Sequence, residues 1–148
     1  MKLRSLTLEN VRRFGGQRAH LDGIGDGLTV VAEANEFGKS TFFDALHTLF
    51  FLRHSSAAAP AKSLQPHAGG PVRIIAEVEL PEGRFAIAKT FLQRKAAEVT
   101  RRPDGQVIAR GGEADDWVEG VLSAMAGGAG PTGLLWVRQG LTGLEPRD

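Results

Sequence analysis

Apolar residues recur at every second position near the start of the chain, at Leu6 and Leu8 with Leu3 and Val11 flanking, and Leu6-Thr7-Leu8-Glu9 alternates cleanly. Such a period of two predicts a half-buried strand over residues 3–11. A loop over 12–16 and a short strand over 17–21 follow. Asp22-Gly23-Ile24-Gly25-Asp26-Gly27 has the composition of a turn. Leu28-Thr29-Val30-Val31-Ala32 is a continuous short apolar run, as in a strand buried on both faces. The period then changes: Phe42, Phe43, Leu46, Leu49 and Phe50 fall at helical spacing, predicting a core-packed helix over 39–53, with Phe51 read as core too. Residues 55–70 turn to Ala, Ser, Pro and Gly, with Leu64 the one large apolar residue, and read as an irregular surface loop. Residues 72–80 and 84–92 alternate on either side of Pro81-Glu82-Gly83. Residues 96–101 and 106–109 do so across Pro103-Asp104-Gly105, completing an antiparallel meander. A helix is expected over 113–125, with acidic residues in the first turn where the helix dipole favours them. Gly127-Gly128-Ala129-Gly130-Pro131 ends it; Leu134-Leu135-Trp136-Val137 reads as a short buried strand, and Arg138-Gln139-Gly140 as a turn.

The 148 residues suit one domain with one modest core, and 42% hydrophobic with 24% charged content is ordinary for a globular chain. No cysteine is present, which excludes disulfides and thiolate metal sites. The chain opens without a signal-peptide core, and its longest apolar stretch, around residues 46–52, is too short to span a bilayer. The expectation is a cytoplasmic protein with no membrane partner. A formal net charge of +1 hides a segregation: residues 52–110 hold ten Lys/Arg against five Asp/Glu, and residues 111–148 two against six. The basic stretch includes Arg73, Lys89, Arg94, Lys95, Arg101, Arg102 and Arg110. It suits either a solvated surface or contact with nucleic-acid phosphates, with Arg94, Lys95, Arg101 and Arg102 as charge candidates.

The strongest chemical signal lies between the expected strand 28–32 and the helix after it, in Glu33-Ala34-Asn35-Glu36-Phe37-Gly38-Lys39-Ser40-Thr41. Gly38, Lys39 and Ser40 complete the second half of the phosphate-binding pattern G-x-x-x-x-G-K-[ST] in its strand–loop–helix context. Backbone N–H groups over Asn35, Glu36, Phe37 and Gly38 and at the helix start point at phosphates, and the helix dipole adds positive potential. Lys39 bridges the β- and γ-phosphates, the Ser40 hydroxyl binds Mg2+, and Thr41 reaches the α-phosphate. ATP with Mg2+ is the expected ligand. The first glycine of the pattern is replaced by Glu33, whose carboxylate either turns to solvent or weakens nucleotide binding.

Three segments in order, Leu6-Thr7-Leu8-Glu9-Asn10-Val11-Arg12-Arg13-Phe14, Asn35-Glu36-Phe37-Gly38-Lys39-Ser40-Thr41 and Trp136-Val137-Arg138-Gln139-Gly140, together resemble the N-terminal half of the ATPase head of SMC-like, SbcC-type DNA-repair ATPases in the ABC superfamily. The resemblance covers essentially the whole chain. It implies an α/β P-loop NTPase fold with a mixed sheet, an antiparallel meander and two main helices. It makes Gln139 the Q-loop glutamine that ligates Mg2+ and senses the γ-phosphate, and lays Arg12, assisted by Arg13, against the phosphates. The family's signature motif and Asp-Glu strand are missing from residues 1–148. The chain is therefore expected to be the N-terminal lobe of a split head, completed by its own C-terminal lobe after a coiled coil and by a second head in a homodimer. DNA and a nuclease subunit are the further partners so implied. Two other readings stay open: a nucleotide-binding module without catalysis, and a transporter-type ATPase subunit.

The four histidines, His20, His47, His54 and His67, have no metal-ligand spacing and read as structural. Asp115-Asp116 reads as dipole compensation at a helix start.

Overall fold

The computed structural model describes residues 2–12, 15–21 and 39–127. Within them six strands form one sheet: β1 (Lys2–Glu9), β2 (Arg18–Leu21), β3 (Val72–Leu80), β4 (Gly83–Phe91), β5 (Ala96–Arg102) and β6 (Gln106–Arg110). Three helices accompany them: α1 (Lys39–Phe51), α2 (Ala59–Lys62) and α3 (Gly112–Gly127). The strand order is β2-β1-β3-β4-β5-β6, and every described pairing is antiparallel. The expected meander is thus present as β3 to β6, with β1 inserted between β2 and β3. The strands expected over 28–32 and 134–137, which would make the sheet mixed, lie outside the described residues.

The sheet's two faces follow from the period of two. On β3, Val72, Ile74, Ala76 and Val78 point inward; on β4, Phe85, Ile87, Lys89 and Phe91 do so. Register places Leu6 opposite Ala76 and Leu8 opposite Ile74, so the inward rows continue onto β1. α1 lies over β1 and β3, and α3 over β5 and β6. α1 contributes Phe42, Leu46, Leu49 and Phe50, and α3 contributes Ala114 and Val118 to the same core. Each large side chain fully buried there, such as Phe50, Phe91 or Leu8, stabilises the fold by about 1.5–3 kcal/mol. The opposite face mixes Ile75, Ala86 and Ala88 with charged residues and is laced by cross-strand ion pairs. Glu79 meets Arg4 at 2.7 Å, Glu77 meets Arg102 at 3.5 Å and Glu98 meets Arg110 at 3.1 Å.

Three expectations change. The segment 55–70 is not wholly irregular: α2 forms within it, with Pro60 in its first turn where the missing N–H costs nothing. Ala61 and Leu64 of this segment are fully buried, so it covers core rather than merely skirting it. Phe51, expected in the core, is 42% exposed and packs its ring 4.6 Å from that of His47. It closes the last turn of α1 on the side away from the core residues Leu49 and Phe50.

Candidate functional site

β1 delivers the chain to a tight corner. Asn10 and Arg12 both take positive φ, 58° and 47°, a region non-glycine residues enter mainly when local hydrogen bonds hold them there. Asn10 has those bonds. Its amide nitrogen donates to Gly69 O at 3.0 Å and Pro71 O at 2.8 Å, and its amide oxygen accepts from Gly16 N at 2.7 Å. One side chain thus joins the loop after β1 to the segment before β3. Gly70, with φ of 97°, passes so close that a Cβ there would meet Asn10 Nδ2 at 2.9 Å.

Arg12 is thereby aimed at the first turns of α1. Its Nη1 donates to Thr41 Oγ1 at 3.4 Å, and Nη2 lies 3.0 Å from Asp44 Oδ2. Nε donates to Ser63 O at 3.1 Å and Nη2 to Ser63 Oγ at 3.5 Å, while its backbone N–H donates to Leu64 O at 2.8 Å. Thr41 is buried; Arg12 and Asp44 keep 29% and 42% of their side-chain surface in solvent. Two of the expected phosphate-site residues, Arg12 and Thr41, are therefore brought together. Lys39 and Ser40 open α1 as expected, though only their backbone is described. Arg13, Asn35, Glu36, Phe37, Gly38 and Gln139, with Glu33, lie outside the described residues. Sequence reasoning missed Asp44 and Ser63, and assigned no role to Asn10. Asp44, one turn beyond Thr41, was within reach of helical spacing.

A second charged cluster grips the other end of α1. Lys89, read from sequence as part of a basic surface, is 2% exposed, and Asp115, read as dipole compensation, is 1% exposed. Lys89 Nζ lies 3.2 Å from Asp115 Oδ1 and donates to Leu52 O at 2.8 Å, satisfying a carbonyl just past the helix end. The His54 backbone N–H donates to Asp115 Oδ1 at 3.1 Å, and His54 Nδ1 lies 2.6 Å from Oδ2. Arg53 reaches Asp116 at 3.1 Å and Glu119 at 2.9 Å, and these carboxylates hold its guanidinium protonated still more firmly. Burial lowers the Lys89 pKa, with Asp115 opposing that shift. Burial would raise that of Asp115, but the two His54 hydrogen bonds and the Lys89 ammonium outweigh it and the net shift is downward. The signal was in the sequence: Lys89 stands in phase with Phe85, Ile87 and Phe91, and an inward lysine calls for a buried counter-ion.

The basic candidates for nucleic acid are not gathered. Lys95 and Arg94 lie between β4 and β5, with Lys95 donating to Ser55 O at 3.4 Å. Arg101 and Arg102 close the far end of β5, about 20 Å away along the strand. There Arg101 meets Gln106 and Asp104, and Arg102 meets Glu77. Among the described residues no group of three His, Asp or Glu could hold a metal ion, and no helix is long and apolar enough to cross a membrane.

A helix opened by Lys39-Ser40-Thr41 with a guanidinium leaning on its first turns has the arrangement of a nucleotide-binding module. Residues 1–129 match the family model described as AAA domain, and the chain belongs to that family. Uncharacterized proteins of Mycobacterium tuberculosis and Mycobacterium bovis are 32% identical over 124 residues, which cover 83% of this chain and 14% of theirs. The chain thus spans about one seventh of the length of the curated relatives it matches. The SMC head domain from Thermotoga maritima is similar at 15% identity and a TM-score of 0.44, covering 84% of this chain and 42% of that one.

Proposed function

We propose that this chain is the N-terminal, ATP-binding lobe of an SMC-like ATPase head, whose hydrolysis is completed by a C-terminal lobe and a second head. The observation that carries the reading is Arg12 held at 3.4 Å from Thr41 in the first turn of α1. A helix start with no acidic residue in its first turn, flanked by a guanidinium, fits a phosphate. In this reading the triphosphate, with its Mg2+, supplies the scissile anhydride and the charge that these groups neutralise. Lys39 and Arg12 hold phosphate oxygens, the α1 amides orient them, and Ser40 and Gln139 carry the metal. Thr41, buried against Arg12, fixes the direction of that guanidinium. Phosphoryl transfer depends on positioning by several elements at once, so the lobe alone binds nucleotide weakly and turns it over negligibly.

For the whole protein the resemblance favours work on DNA, in repair or chromosome maintenance, as a homodimer with a nuclease subunit. ATP titration of wild type against Lys39→Ala tests the core of this reading; equal affinities would sink it. Turnover measured with and without the C-terminal lobe tests the division of labour, and comparable rates would refute it. Salt-sensitive DNA binding by the full-length protein tests the nucleic-acid role.

A further inference from the structure

We propose that Asp44 is a built-in competitor of the nucleotide: it holds Arg12 against the second turn of α1, and a phosphate has to take Arg12 from it. The inference rests on the ATP reading above and adds a means by which affinity at that site is set.

Arg12 has one guanidinium and two kinds of oxygen on α1 within its reach. Thr41 Oγ1, 3.4 Å from Nη1, lies in the first turn, on the side where the helix amides offer an anion site. Asp44 Oδ2, 3.0 Å from Nη2, lies three residues later, about 4.5 Å further along the axis on the same helix face. Asp44 therefore draws Arg12 away from the helix start, and Thr41 draws it toward that start. The Ser63 contacts make this an exchange rather than a release. Nε donates to Ser63 O at 3.1 Å and Nη2 to Ser63 Oγ at 3.5 Å, so the rigid guanidinium keeps partners on this segment when Asp44 lets go. Both Arg12 and Asp44 are partly in solvent, so neither pays a burial penalty when parted. The two outer partners differ in charge: one carboxylate on Asp44, several negative oxygens on a triphosphate. Arginine pairs with either in the same forked geometry.

An exposed ion pair biases its partner by no more than about five-fold. Its removal raises apparent affinity by the same factor, because a competing state no longer takes its share of Arg12.

ATP affinity of the full-length protein, measured by titration, decides it. Asp44→Asn is expected to tighten ATP about two- to five-fold, Asp44→Ser to do the same, and Arg12→Ala to weaken it. In an Arg12→Ala background, Asp44→Asn should change nothing. The proposal is overturned if Asp44→Asn and Asp44→Ser leave ATP affinity unchanged or weaken it, because Asp44 then positions Arg12 instead of competing for it. It is equally overturned if the gain persists without Arg12, which would make it a general charge effect on the phosphates. Lys39→Ala run alongside keeps the two claims apart, since unaltered binding in that variant defeats the ATP reading itself.

Discussion

The same helix, α1, is held by charge at both ends, and the two grips differ in one respect, access to water. At its start Arg12 and Asp44 are 29% and 42% exposed; at its end Lys89 and Asp115 are 2% and 1% exposed. An exposed pair gains little and loses little when parted, so it can exchange partners. A buried pair is costly to bring together and far costlier to break singly, because the survivor is left charged without water. The start of α1 is therefore built to be renegotiated, and its end to stay put.

The largest effect should come from breaking the buried grip on one side. Asp115→Ala is expected to destabilise the fold by about 3–5 kcal/mol in urea unfolding. Replacing both partners, as Lys89→Met with Asp115→Leu, should cost clearly less than Asp115→Ala alone; a larger loss would show that the charges themselves hold α1 in place. Gly70→Ala comes next, at about 1–3 kcal/mol, because it strains a positive φ and presses a methyl into the Asn10 amide. A pH series sharpens the contrast without changing volume. The folded pKa of Asp115 lies below its unfolded one, so the unfolded chain takes up the proton first as pH falls. Its stabilisation is full above about pH 4 and drains away as the pH drops through the lowered folded value. Asp115→Asn should flatten that part of the curve. The lowered Lys89 pKa adds a rise in stability with pH on the alkaline side, between its folded and unfolded values. Arg12→Ala should leave stability within about 1 kcal/mol of wild type yet weaken ATP about ten-fold. Arg53→Ala, which removes surface pairs with Asp116 and Glu119 from a side chain that is 43% exposed, should scarcely move the melting temperature.

Much of this was legible in the residue pattern. The period of two at residues 72–80 and 84–92 and the turn Pro81-Glu82-Gly83 yield a β3–β4 hairpin, because one face had to be buried and register leaves no slack. The helical spacing of Phe42, Leu46, Leu49 and Phe50 likewise places α1 on the core. Less legible was anything that depends on two distant segments meeting. Leu64 looked like a stray apolar residue in a polar stretch, yet it joins the core, where its carbonyl accepts from the Arg12 N–H. Lys89 was counted with the surface charges because a charge tally ignores the phase of a strand. Of the proposed phosphate site, the motif named Lys39, Ser40 and Thr41 by spacing, and the resemblance named Arg12. Asp44 and Ser63 emerge only once the chain folds back, since neither belongs to a pattern of its own.

The contact between Asn10 and Gly70 carries a practical consequence for anyone rebuilding this protein. Sixty residues apart, they behave as a lock and its keyhole: the amide closes two loops at once, and it fits only because no side chain stands opposite. A chimera that imports residues 55–71 from a relative must therefore choose a donor with glycine in register with Gly70, opposite the Asn10 already in place. Grafts that respect the lock should keep Arg12 pointed at α1, and those that do not should lose its aim before they lose the fold.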